Sequence, residues 1–360
     1  MVLFYICDVK KGWKLAQKAI TIYDIAREAH VSPATVSRIL SNSNGVRQEK
    51  RERVLEVIEK HQFKPNALAR GLSETRSRRL GMICPDVRNP FFANVYTECE
   101  RAAYEKGYTI VFNNTFGQEK QEIESLNRML EQRVDCMLIC GGLIDWRPVP
   151  ERFEAVLEHC CEVIPVVING TLPDFENKCA QFTLDAAGGM NQAVAHLVSL
   201  GHKRIAFLHG QEYIYQTQFK TQAFRNAMES FHLPVRGEYI INAGLFDEKS
   251  GYAGMNRLLS LPELPTAVIA INDLMATGAL QAIQKIGCSV PGDFSLISFD
   301  DTYLTELVQP NLTSVHYDYT DIGKKMIDRA IGLIDGDEIP APEMIPTVLK
   351  IRESCTKINM

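Results

Sequence analysis

The 360-residue chain has no run of about 18 apolar residues, so no segment reads as a membrane-spanning helix and no membrane partner is expected. Its start, MVLFYICDVKK, opens on seven apolar residues with no basic residue ahead of them and no small-residue cleavage site. A secretory leader is therefore not expected, and the cytoplasm is the expected location. Enzyme signatures are missing as well. No G-x-G-x-x-G follows the first predicted strand, and there is no G-x-x-x-x-G-K-S/T, H-E-x-x-H or G-x-S-x-G. No catalytic residue, metal or cofactor is expected. The ten cysteines are scattered, and neither Cys136/Cys140 nor Cys160/Cys161 has a common zinc or redox spacing. They read as small buried hydrophobes in a reducing compartment.

A net charge of −5 conceals an asymmetry. Residues 1–80 carry 16 Lys plus Arg against 8 Asp plus Glu, a balance of +8, and residues 81–360 carry 23 against 36, a balance of −13. A basic N-terminal piece on an acidic body is the pattern of a nucleic-acid-binding head. Within that piece, Ile22, Ile25, Ala26 and Ala29 recur at helical spacing, and His30 and Val31 interrupt them. Ser32 is placed to cap a second helix, with Pro33 at its first position and Val36, Ile39 and Leu40 as its inward stripe. A third helix is predicted from about Gln48 to His61, with Val54, Leu55, Val57 and Ile58 apolar. Ala34, Thr35, Ser37 and Arg38 point away from the stripe of the second helix. Short side chains ending in an arginine suit a helix that lies deep in a DNA major groove.

From Leu80 onward, short apolar runs alternate with helical stretches: LGMICP, YTIVFN, CMLIC and VIPVVI, with helices predicted at 92–106, 118–132 and 150–160. After FTLD the alternation resumes with RIAFLHG, EYIINAG, TAVIAIN and FSLISFD, separated by helices at 187–200, 218–231, 248–260 and 273–286. Two parallel α/β units follow from this, with a cleft at the carboxyl ends of their strands. Asp300 and Asp301 form a carboxylate pair at a strand end, but sequence neighbours point in different directions, so one of them faces the cleft as a ligand acceptor.

TIYDIAREAHVSPATVSRILS followed by VRQEKRERVLEVIEKHQFKPNALARGL resembles, almost position for position, the head of the lactose-repressor (LacI/GalR) family of bacterial transcription regulators. NPFF, HLVSLGHKRIAFLHG, PTAVIAINDLMATGAL, VPGDFSLISFDD and PNLTSV resemble landmarks of that family's core, which is similar in fold to periplasmic sugar-binding proteins. The likeness runs from about Thr21 to Ser354. It implies an α/β chain divided into an extension at 1–20, expected to be disordered or an artefact of start-site choice, an all-α helix-turn-helix head at 21–65, a hinge helix and linker at 66–79, and a core at 80–360. The core would comprise two parallel subdomains, about 80–184 with 314–343 and about 185–313 with 344–355.

The resemblance also implies partners and residues. Thr21, Tyr23, Ser32, Ala34, Thr35, Ser37 and Arg38 would meet operator DNA, with Asn66, Ala69 and Leu72 on a hinge helix in the minor groove and Leu72 as the wedge. Phe92, Asn169, Lys220, Phe246, Asn272 and Asp300 would hold a small effector, with a sugar expected and a purine or nucleoside as the alternative. Many members carry Arg where Lys220 stands, so a bidentate contact is not implied here. The expected function is a ligand-responsive repressor acting as a homodimer on a pseudo-palindromic operator, with no leucine heptad tail after LKIRESCTKINM to build a tetramer. The rival is a transport-type sugar receptor, which shares the core fold and lacks a DNA-binding head.

Overall fold

Thr21 opens the first helix, α1 (Ile22–Glu28), through a capping box with Asp24, which satisfies two backbone N–H groups that a helix start leaves orphaned. The computed structural model describes residues 20–40, 45–63 and 76–358. The extension at 1–19 and the expected hinge residues Asn66, Ala69 and Leu72 lie outside the described residues. Two compact units are formed, one up to Arg76 and one from Ser77.

In the first unit α1 ends at Ala29, and His30 takes a left-handed φ of 52° that lets the Val31 N–H return to the Ala26 carbonyl. Then come α2 (Pro33–Leu40) and α3 (Gln48–Lys60). Ile25, Ala26, Ala29, Val36, Ile39 and Val54 form a small core. Leu55, expected among the apolar positions of α3, is 47% exposed, because it lies about 100° around the helix from the buried Val54. Glu28 binds Lys60 and His61, each at 2.7 Å, and so ties α1 to the end of α3.

The second unit contains β1 (Arg79–Cys84), α4 (Pro90–Glu105), β2 (Thr109–Asn114), α5 (Glu119–Glu131), β3 (Cys136–Cys140), α6 (Glu151–Val163), β4 (Val166–Asn169) and β5 (Ala180–Leu184). It continues through α7 (Ala186–Ser199), β6 (Ile205–His209), α8 (Tyr215–Ser230), β7 (Ile240–Asn242), α9 (Glu248–Leu259), β8 (Ala267–Ala270), α10 (Asp273–Lys285) and β9 (Ser295–Asp300). The chain then adds α11 (Leu304–Leu307), β10 (Thr313–Tyr317), α12 (Tyr319–Asp335), β11 (Glu343–Ile345) and β12 (Thr347–Lys350). One sheet has the order β11-β5-β4-β3-β1-β2 and is parallel throughout; the other runs β12-β10-β9-β8-β6-β7, with only β12 antiparallel. Strands 3, 4, 6, 8 and 9 are buried at every position because helices cover both faces of each sheet, and all but β9, which carries Ser295, Ser298 and Asp300, are almost continuously apolar.

Three boundaries differ from the sequence reading. VIPVVI is not one strand: α6 runs on to Val163, Pro165 ends the helical path, and pairing starts at Val166. Residues 314–317 belong to β10 of the second sheet, where they pair in parallel with β9, and not to the first subdomain. Conversely, Met344 and Ile345 pair with β5 in the first sheet, so the return to the second starts at Thr347. Backbone pairing, invisible to hydrophobic periodicity, decides each crossing. The described cysteines are free and mostly buried, and among the described residues no helix is long and apolar enough to cross a membrane.

Candidate functional site

In the first unit, Ser32 is the cap the sequence called for: its hydroxyl accepts the Thr35 N–H at 3.2 Å and contacts the Thr35 hydroxyl at 2.9 Å. Thr35 is therefore partly committed to the start of α2, and Thr21 to the start of α1. Ala34 and Arg38 are exposed on α2, with Thr35 and Ser37 half-buried between them, while Val36 and Ile39 are buried on the opposite side. Tyr23, 66% exposed, stands on the first turn of α1. A polar helix face with short side chains and one arginine is held by a core too small to need it for packing.

In the second unit, both chain reversals that open a crevice fall at strand ends: β1 beside β3 in one sheet, β6 beside β8 in the other. A cavity of about 710 Å³ lies at these ends, lined by Pro85 and Gly141 from one pair and by Gln211 and Ile271 from the other. All six residues singled out in the sequence, Phe92, Asn169, Lys220, Phe246, Asn272 and Asp300, line it. Phe92 sits in the first turn of α4 and Phe246 in the loop before α9. Each ring rests against a glycine: a Cβ on Gly141 would come within 2.9 Å of Phe92, and one on Gly210 within 2.5 Å of Phe246. No other residue leaves the rings where they are.

Lys220 enters from α8, is 7% exposed, and donates to the Ile271 carbonyl at 3.2 Å with its ammonium 4.4 Å from the centre of the Phe299 ring. Burial pulls its pKa below the usual lysine range, and the carboxylates of Asp300, Asp273 and Asp145 pull it back up. Asp300 is 7% exposed, and its carboxyl is pushed up to about 7 by burial, against the attraction of Lys220. It also has a φ of 95°, a left-handed conformation that costs a non-glycine residue energy. The surroundings impose it. Tyr319 donates to the Asp300 carbonyl at 2.7 Å, the Asp301 N–H donates to Ser314 at 3.1 Å, and Thr302 donates to Asp273 through both N–H and hydroxyl at 2.6 and 2.8 Å. Asp273 also accepts from Ser298 and Ser314, so this buried carboxylate acts as the clamp for the turn. Asp301 turns the other way, to Arg352 at 2.6 Å and His316 at 2.9 Å.

Asn272 is committed differently from the expectation. Its Oδ1 caps α10 by accepting the Met275 N–H at 2.8 Å, and its Nδ2 donates to the Phe246 carbonyl at 3.0 Å. It positions the aromatic loop as much as it faces the cavity. Sequence reasoning missed Asp145, Trp146, Tyr213 and Tyr317, which also line the cavity. Asp145 ends a 3-10 turn at Gly142–Asp145, and Tyr317 ends a strand; neither carries a local signal that distinguishes it from a turn or core residue. Beneath that turn, buried Glu122 accepts the Leu143 N–H at 3.0 Å and the Thr115 hydroxyl at 3.2 Å, and burial pushes its carboxyl up to about 7. Among the described residues no group of three or more His, Cys, Asp or Glu side chains is arranged to hold a metal ion.

Residues 21–66 match the family model of bacterial regulatory proteins, lacI family, and residues 194–355 match a periplasmic binding protein-like domain. Catabolite control protein A of Priestia megaterium is 36% identical over 306 residues, covering 84% of this chain and 89% of that one. The HTH-type transcriptional regulator GalR of Escherichia coli K12 is 31% identical over 322 residues, covering 89% and 91%. Among solved structures, the Lac repressor dimer bound to operator and the anti-inducer ONPF superposes with a TM-score of 0.84 at 24% identity over 94% of this chain and 100% of that one. The CelR–cellobiose complex superposes with a TM-score of 0.69 at 25% identity, over 93% and 99%. With a helix-turn-helix head, two parallel-sheet subdomains and relatives above 30% identity along most of its length, the chain belongs to the lacI family of bacterial regulatory proteins, which are DNA-binding transcriptional regulators.

Proposed function

We propose that this regulator is a cytoplasmic homodimeric repressor whose grip on a pseudo-palindromic operator is set by a small polar ring compound, a sugar or sugar derivative, bound in the core cleft. The observation that carries the reading is the cavity itself. Two aromatic rings, a buried lysine, a strained aspartate and two amides from both sheets converge on one space of about 710 Å³, the size of a small-molecule site. Aromatic faces cover the C–H surface of such a ring while carboxylate, amide and ammonium meet its hydroxyls. In the head, the exposed face of α2 supports base contacts by Ala34, Thr35, Ser37 and Arg38, with Thr21, Tyr23 and Ser32 at the backbone. The hinge roles of Asn66, Ala69 and Leu72 rest on the resemblance.

The cleft is read as a binding site and not a catalytic one: Asp300 and Asp301 face two different neighbourhoods, and of the other adjacent carboxylates at the cavity, Asp247 and Glu248, Asp247 is committed to capping α9 by accepting the Ser250 N–H. A relative named HTH-type transcriptional repressor PurR, 30% identical, keeps a purine effector as the second reading. A thermal-shift screen of sugars and nucleosides separates the two, since a ligand at 100 times its dissociation constant adds about 2.7 kcal/mol to the native state. Lys220→Ala and Asp300→Ala are each expected to abolish the effector response of operator binding, with ligand-free affinity changed by no more than a few fold. Unfolding of the core by Asp300→Ala would make that residue structural and withdraw it from the site.

A further inference from the structure

We infer that Asp145 selects the effector: it accepts a hydrogen bond from a hydroxyl or amine on the ligand, so that the cleft takes an uncharged or cationic ring compound and rejects anionic ones such as sugar phosphates. This rests on the reading of the cleft as the effector site and adds to it a residue and a ligand class.

Every buried or half-buried cation near the cavity is engaged with the protein. Lys220 donates to the Ile271 carbonyl, and Arg147 gives its guanidinium to the carbonyls of Ile144, Trp146 and Thr171 at 2.6–2.8 Å while lying over the Tyr215 ring. Arg88, at the cavity wall, is held by both oxygens of Asp86. The remaining cation that lines the cavity, Lys249, is exposed to solvent, so an anion in the enclosed part would meet one ammonium, Lys220, against the two carboxylates of Asp145 and Asp300. Acceptors are in the opposite position. Asp145 Oδ1 is closed off from solvent and accepts no hydrogen bond among the described residues, and an oxygen left in that state costs free energy that a donor would restore. Asp145 itself lines the cavity, so a ligand bound there is placed to supply the donor.

Asp145 also sits on the seam between the two halves. Next to it, Trp146 makes an antiparallel bridge to Ile214 and an edge-on ring contact with Tyr213 at 5.1 Å, and the Arg147 N–H donates to the Tyr213 carbonyl at 2.7 Å. A donor held by Asp145 on one side and by Asp300 on the other therefore joins the two subdomains. Burial raises the Asp145 carboxyl to about 6, opposed by the charges of Arg147 and Lys220 and by a hydrogen bond from the Gln216 side chain to the carboxyl, whose Oδ1 is the oxygen left without a partner.

The test uses the full chain with glucose, cellobiose, glucosamine, glucose 6-phosphate and adenine as thermal-shift probes, on wild type, Asp145→Asn, Asp145→Ala and Asp300→Ala. The expected result is a shift with at least one neutral or amino sugar, none with glucose 6-phosphate, and an affinity about tenfold or more weaker in both Asp145 variants, the usual loss for a hydrogen bond to a charged group. Ligand-free melting of Asp145→Asn should equal or exceed that of wild type. A lower melting temperature for that variant would make Asp145 structural and overturn the inference, as would a shift with glucose 6-phosphate or an unchanged sugar affinity in Asp145→Asn. If Asp145→Asn keeps the response and Asp300→Ala loses it, only the present inference fails. If Asp300→Ala keeps it too, or if no probe shifts wild type, the reading of the cleft fails with it.

Discussion

Replacing Glu122 by Gln removes a buried charge without removing the shape or the hydrogen bonds around it. Glu122 Oε1 accepts the Leu143 N–H, and a glutamine oxygen can do the same. The new amide can donate to the Thr115 hydroxyl, which in turn can donate to the Cys84 carbonyl, 3.3 Å away. What changes is the cost of ionisation. The fold raises this carboxyl from 4.5 to about 7, chiefly by burial, a difference of about 2.5 units. At about 1.4 kcal/mol per unit this corresponds to about 3 kcal/mol when the group is fully ionised. The sign follows from proton binding. A carboxyl whose pKa is raised on folding binds more protons in the native state, so its contribution to stability is intact below about 4.5 and is lost as the pH rises through about 7. Glu122→Gln should therefore melt several degrees above wild type at pH 8, on the order of 3 kcal/mol more stable, with the gain shrinking towards zero near pH 4.5. The assay is thermal or urea unfolding of the ligand-free chain at a series of pH values. An equal loss of stability at both ends of the range would refute the reasoning, because it would mean that the turn at Gly142–Asp145 requires the ionised carboxylate.

Two further outcomes are expected. Arg38→Ala should cost about 1–3 kcal/mol on operator sequences selected by the wild type and much less on random DNA; equal losses on both, measured by titration at fixed salt, would make Arg38 a phosphate contact. Gly210→Ala should drive the Phe246 ring from its seat, since the new Cβ would lie 2.5 Å from it, and weaken effector binding about tenfold while the melting temperature falls by only a few degrees. Unchanged effector affinity in that variant would remove Phe246 from the site.

Much of this molecule is legible along the chain because its physics there is local. The helix-turn-helix depends on a cap at Ser32, a proline at the first helical turn and an apolar stripe at Val36 and Ile39, all within a few residues of one another. The parallel sheets are legible because strands buried on both faces, such as CMLIC and VIAI, must be apolar without alternation. The charge imbalance between the first 80 residues and the rest is a sum that needs no fold. The six cleft residues came from motifs shared with a family, and Phe92 and Lys220, far apart in sequence, line one cavity because both sheets reverse at their strand ends.

Other features were fixed only by contacts across long sequence separations. Periodicity reports which face of an element is buried but not which strand it pairs with, so the crossings at Thr313–Tyr317 and Glu343–Lys350 required the sheets themselves. Asp273 reads as an ordinary first residue of a helix until Ser298, Thr302 and Ser314 surround it. Asp300 and Asp301 are neighbours of the same type, and the turn they share, strained at φ values of 95° and 51°, sends one to the cleft and the other to Arg352. Asp145 has no motif at all. Its significance arises from a carboxylate oxygen enclosed by two subdomains whose meeting the sequence does not record, because burial and hydrogen-bond satisfaction are properties of the surroundings and not of the residue.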